Sequence, residues 1–132
     1  MRFSKIVAGE PERGFAPFYH FRIHTADGSD VGHINFRVGD SDHVKFIAGH
    51  IGYEIPEAFR GHGYACQACR AIAPFVRKVS ASVIITSDPE NIASVKTIEK
   101  LGASFIDEVP IPPGDSHYLR GSRRKRRYSW TP

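Results

Sequence analysis

Arg60, Gly61, His62, Gly63, Tyr64 and Ala65 place a cation, two glycines and a run of small residues directly ahead of a stretch with helical apolar spacing. Glycines let a backbone approach a ligand closely, and the amides that open a helix point outward without intrahelical partners, so the segment suits an anion such as a diphosphate. Turns need glycine for conformational reasons alone, so the segment acquires meaning only from its surroundings. His62 is placed either to touch a phosphate or to face solvent. Cys66 and Cys69 have the C-x-x-C spacing of a redox pair or half a metal site, yet no second pair accompanies them. They read as small residues packing against a sheet, and no metal site is expected. Arg123, Arg124, Lys125, Arg126 and Arg127 form a basic run beside Tyr128 and Trp130. Such a run attracts phosphates and its aromatics would stack bases, or it is simply a solvated strand end.

The chain has 132 residues, the size of one domain (1–132), with 41% apolar and 24% charged residues. No stretch approaches the roughly 20 apolar residues of a membrane span. The opening MRFSKIVAGEPERG lacks the apolar run of a secretory signal, so a cytoplasmic, reducing setting is expected. Net charge is +4, with much of the excess in the 123–127 run.

Period-two alternation predicts strands over Pro17–Thr25 and Val31–Val38, joined by a turn at 26–29, and a long third strand over His43–Ile55 interrupted by Gly49 and Gly52. Phe18, Phe21, Ile23, Ile34, Phe36, Phe46 and Ile51 are core candidates. Helical spacing of Ala65, Ala68, Ala71, Ile72, Phe75 and Val76 predicts a helix that Pro74 should bend or break. A strand over Ser82–Thr86 follows. A second helix over Ile92–Leu101 has Asp88 and Asn91 as start signals and Gly102 as its stop. Ala103–Ile111 reads as a strand, 112–122 as a loop and Arg124–Trp130 as a closing strand. The order is β-β-β-α-β-α-β-β.

In this setting the run GYEIPEAFRGHGYA resembles the long β4 strand and the Arg/Gln-x-x-Gly-x-Gly/Ala loop of the GCN5-related N-acetyltransferases, with Arg60, Gly63 and Ala65 in the motif positions. DPENIASVKTIEKLGA resembles the same family's later motif, matched by Asn91, Ser94, Glu99, Lys100, Leu101 and Gly102. Together the motifs cover most of residues 50–105. The resemblance implies an α/β (α+β) fold: a mixed, mostly antiparallel sheet splayed between a β4-like and a β5-like strand, flanked by two main helices. It implies acetyl-coenzyme A as co-substrate and an amine as acceptor. Backbone at Glu54 and Ile55 would bind the pantetheine arm. Amides of Gly61, His62, Gly63, Tyr64 and Ala65 would take the diphosphate with help from Arg60, Asn91 would contact the pantetheine or the reactive end, and Ser94 would also bind the cofactor.

The implied chemistry is direct attack of a neutral amine on the thioester, with one group taking the amine proton and another protonating the thiolate. Glu54 and His50 share strand parity and are the candidate bases. Two features depart from the family pattern. Ile98 stands where many members have the tyrosine that acts as acid, leaving Tyr64, Ser94, Tyr128 or water for that step. Only about fifteen residues precede the hairpin, so the N-terminal helices are shortened or absent, and a homodimer is one way to complete the acceptor wall. His20, His24 and His33 alternate along strands and would line an acceptor surface or a solvated face. Rival readings are a catalytically silent acyl-coenzyme A binding module and a nucleic-acid-binding protein using the 123–127 run.

Overall fold

The computed structural model describes the backbone of residues 2–7 and all of residues 16–132. The seven strands are β1 (Arg2–Val7), β2 (Phe18–His24), β3 (Asp30–Arg37), β4 (Ile51–Glu54), β5 (Val83–Ser87), β6 (Ser104–Pro110) and β7 (Arg124–Trp130). They form one sheet in the order β1-β2-β3-β4-β5-β7-β6. Every neighbouring pair is antiparallel except β4 and β5. The helices are α1 (Tyr64–Val79), α2 (Ile92–Lys100) and the short α3 (Ser116–Leu119). Strand β1 lies ahead of the hairpin and was not predicted. The expectation of shortened or absent N-terminal helices otherwise falls on residues 8–15, outside the described residues.

The core forms where period two on the sheet meets period 3.6 on the helices. Phe21, Ile23, Ile34, Phe36, Ile51, Val83 and Ile85 join the inner side of α1 (Ala68, Cys69, Ile72, Ala73 and Val76) and Ile98 of α2. Cys66 and Cys69 are buried free thiols, as their packing role requires, and burial pushes Cys69 up to about 12. Pro74 occupies an exposed position on α1, and the helix continues unbroken to Val79.

Two expectations need correction. The predicted strand over His43–Ile55 is in fact a π-helical turn, His43–Ala48, followed by the four-residue β4. Val44, Ile47 and Ala48 are its buried residues, a spacing of three and four that is helical, while Phe46 is exposed under the Arg127 guanidinium. The predicted loop over 112–122 contains α3, which the Asp115 carboxylate caps by accepting the His117 amide at 2.8 Å.

Pairing between β4 and β5 is confined to Ile51 opposite Ile85. Gly49 brings the chain close to β5: a side chain there would stand 3.1 Å from Ile84 O and from Thr86 N, and its φ of 74° is one that glycine adopts freely. His50 donates its amide to Ile84 O at 2.7 Å, and its Nδ1 accepts the Ile84 amide at 2.9 Å. An imidazole thus replaces a carbonyl in the ladder just before the strands part. Beyond Ile51 the sheet opens, and the two candidate clefts lie along that opening.

Candidate functional site

The first cleft, about 280 Å³, is walled by Tyr53, Glu54 and Ile55 of β4 and its exit, by Phe59, Arg60, Gly61 and Gly63 before α1 with Tyr64 and Ala65 at its start, and by Asn91, Ala93, Ser94 and Thr97 at the start of α2, while His62 does not line it. Gly61 and Gly63 have φ of 85° and 74°. A side chain at Gly61 would meet nothing within 4 Å, and one at Gly63 only Gln67 Nε2 at 3.9 Å. The backbone here is therefore open to a ligand. Gly63 is the N-cap of α1 and has no side chain to cap it, so the first-turn amides keep their donors for an anion. This donor set fits a diphosphate.

Arg60 Nε donates to Ile55 O at 2.8 Å, and Glu54 O lies against Gly32, where an added Cβ would meet it. Two carbonyls expected to face the cofactor arm thus already have neighbours. His62 is exposed, its ring 5.4 Å from that of Tyr64. Asn91 Oδ1 accepts the Ser94 amide at 3.1 Å and so caps α2. Ser94 Oγ and Tyr53 Oη are 2.9 Å apart, bridging β4 and α2 across the opening. Burial raises the Tyr53 pKa, which keeps the phenol protonated.

The second cleft, about 350 Å³, contains His33, Asn35 and Arg37 of β3, Thr86 to Asp88 at the end of β5, His117 of α3, Arg120 just after it, and Lys125 of β7. The β3 residues alternate with core Ile34 and Phe36, so this cleft lies on the sheet face away from α1. Tyr53, Glu54, Asn91 and Ser94 line both clefts. His33 pairs across the strands with Glu54 and lies 5.1 Å from the His20 ring. Burial first, then the neighbouring His20, depress its pKa, so it is neutral at pH 7. Lys125 Nζ and Ser122 Oγ each lie 2.6 Å from Asp88 Oδ1.

The other sequence candidates sit elsewhere. His50 is 8% exposed; besides accepting from Ile84, its Nε2 donates to Gly39 O at 3.0 Å, so both ring nitrogens are engaged and neither cleft includes it. Tyr128 is 2% exposed, its Oη accepting from Arg126 Nε at 2.9 Å, and it too lines neither cleft. The 123–127 run is engaged by partners: Arg124 by Glu108 at 2.7 Å, Lys125 by Asp88 at 2.6 Å, Arg127 by Asp107 at 2.9 Å, and Arg123 and Arg126 over the rings of Tyr118 and Phe105. Tyr53, Arg37, His117 and Arg120 escaped sequence reasoning. Tyr53 alone had a signal, its place within the GYE of β4.

The chain matches the model of an acetyltransferase (GNAT) domain over residues 2–104. Among solved structures it resembles an acetyltransferase (GNAT family) from Bacillus anthracis, at 23% identity and TM-score 0.65, covering 85% of this chain and 65% of that one. It also resembles a ribosomal-protein-S5-alanine acetyltransferase from Vibrio fischeri, at 16% identity and TM-score 0.64, covering 86% and 61%. A third is the microcin C7 self immunity acetyltransferase MccE in complex with acetyl-CoA and AMP, at 20% identity and TM-score 0.58, covering 92% and 63%. The chain thus spans less than two thirds of the length of these proteins. Comparison with curated proteins finds no match. At these identities the structures speak to the fold alone, while the family match, running from β1 through both main helices to the first residue of β6, carries the assignment: the chain belongs to the GNAT acetyltransferase family.

Proposed function

We propose that the chain, acting as one acetyltransferase domain, moves the acetyl group of acetyl-coenzyme A to a primary amine by direct attack. The observation that carries this reading is the pair of clefts sharing Tyr53, Glu54, Asn91 and Ser94: each substrate has its own entrance and both end at the same four side chains. The first-turn amides of α1 and the loop before it take the diphosphate, with Arg60 adding charge. The thioester then lies at the opening between β4 and β5, and the amine enters from the second cleft.

Glu54 borders both clefts and takes the amine proton. Ser94 relays a proton to the departing thiolate and regains one from the phenol of Tyr53 at 2.9 Å, which burial keeps protonated at rest. In this assignment Tyr53 of β4 supplies the phenol that Ile98, fully buried in the core, cannot supply from α2. His50 and Tyr128 receive no proton-transfer role.

Calorimetric titration with acetyl-coenzyme A, followed by thiol-release assays across an amine panel, tests the reading. Micromolar or tighter binding with acceptor-dependent thiol release is expected. Binding without release from any amine would instead favour a silent acyl-coenzyme A module.

A further inference from the structure

The second cleft holds more positive charge than its own carboxylates match. Its acidic residues are Glu54 and Asp88, and Asp88 is already occupied by Lys125 and Ser122. Arg37 and Arg120 remain. Arg37 is half-buried and reaches over Gly52, where an added Cβ would stand 2.6 Å from its Nη1. Its hydrogen-bond contacts are the Ala48 and Gly49 carbonyls, both at a long 3.4 Å, and among the described residues no carboxylate pairs with it. Arg120 is exposed at the mouth, with Nε 3.4 Å from Ser116 O and likewise no carboxylate.

A guanidinium partly withdrawn from water with most of its five donors underused is stabilised when a counter-charge arrives. Burial, and after it the nearby Arg120, lower the Arg37 pKa, so the two cations sense one another. A planar fork of this kind matches the two oxygens of a carboxylate or phosphate. Arg37 stands on the same face of β3 as His33, which pairs with Glu54, so an anion on Arg37 would place the rest of a small molecule along the wall leading to Glu54 and Ser94.

Resting on the acetyl-transfer reading, we propose that the second cleft selects amines that also carry an oxyanion, a carboxylate or a phosphate, held by Arg37 and Arg120. The test compares matched acceptors with similar amine basicity: 4-aminobutyrate against 4-aminobutanamide, and 3-aminopropyl phosphate against 3-aminopropanol. The charged member of at least one pair should have a kcat/KM at least about tenfold higher, the worth of one charge-assisted hydrogen bond, and the pair that shows it identifies the oxyanion. Arg37→Gln and Arg120→Gln should each erode that preference. Independently of turnover, titration with inorganic phosphate and with acetate should shift the Arg37 Nε–H resonance in the nitrogen-15 spectrum, whether or not coenzyme A fills the first cleft. If amines are acetylated without preference, or the preference survives both substitutions, the proposal is overturned while acetyl transfer stands. If no amine reacts but either anion still shifts Arg37, the acetyl-transfer reading fails and the anion site is supported.

Discussion

Two hydroxyls, those of Ser94 and Tyr53, stand where the two clefts meet. Ser94 has its amide on Asn91 Oδ1 and its Oγ on Tyr53 Oη, so both its position and its orientation are set by neighbours. If it protonates the thiolate, Ser94→Ala should lower kcat by about 10²-fold or more while acetyl-coenzyme A affinity stays within a few fold. Tyr53→Phe, which removes only the supporting phenol, should cost less. A Ser94→Ala enzyme with unchanged kcat would remove Ser94 from the mechanism. His50 makes the opposite case. Its Nδ1 accepts the Ile84 amide and its Nε2 donates to Gly39 O, so neither ring nitrogen is open to a substrate amine. His50→Ala should instead strand a ladder amide and lower stability by about 1–3 kcal/mol, read by denaturant unfolding. A large fall in kcat with stability intact would overturn this structural reading.

At the scale of elements, the loop before α1 is the part of the site most legible in the sequence, because glycine at 61 and 63 marks both a left-handed backbone and a vacancy above it. The opening between β4 and β5 was less legible. Its causes are a ladder bond made by an imidazole and the close approach of Gly49 to β5, and both are long-range pairings that period-two reading does not register. The same blindness turned His43–Ala48 into strand, since an apolar set spaced by three and four over six residues also satisfies alternation in part. For the loop, two substitutions separate backbone strain from charge. Gly63→Asn and Gly63→Asp tolerate the left-handed region about equally, but only the second adds a negative charge at the proposed diphosphate site. Calorimetry should find the Asp variant weaker for acetyl-coenzyme A than the Asn variant by at least about tenfold, roughly 1.4 kcal/mol. Equal affinities would move the diphosphate away from this loop.

Across the whole molecule, the second cleft, proposed as the acceptor site, is assembled from segments far apart in sequence, β3, the end of β5, α3 and β7, which is why Arg37, His117 and Arg120 carried no local signature. The same assembly makes stability depend on pH. Burial first, then Lys125 and Arg120, lower the His117 pKa to about 4, outweighing the opposing pull of Asp115. In the unfolded chain the ring takes up a proton near its ordinary value of about 6.5. Between those values the unfolded state binds more protons than the folded one, so stability falls as pH drops from about 6.5 towards 4. His33, lowered by burial and His20, acts in the same direction. Asp27 and Asp30, both held at about 2, lose their contributions only below the unfolded carboxylate value of about 3.8, so the histidine window stands apart. Denaturant unfolding at pH 7, 6, 5 and 4.5 should show a steady fall in the wild type and a shallower one in His117→Gln. Identical slopes for the two proteins would mean that the His117 ring is already solvated in the folded state.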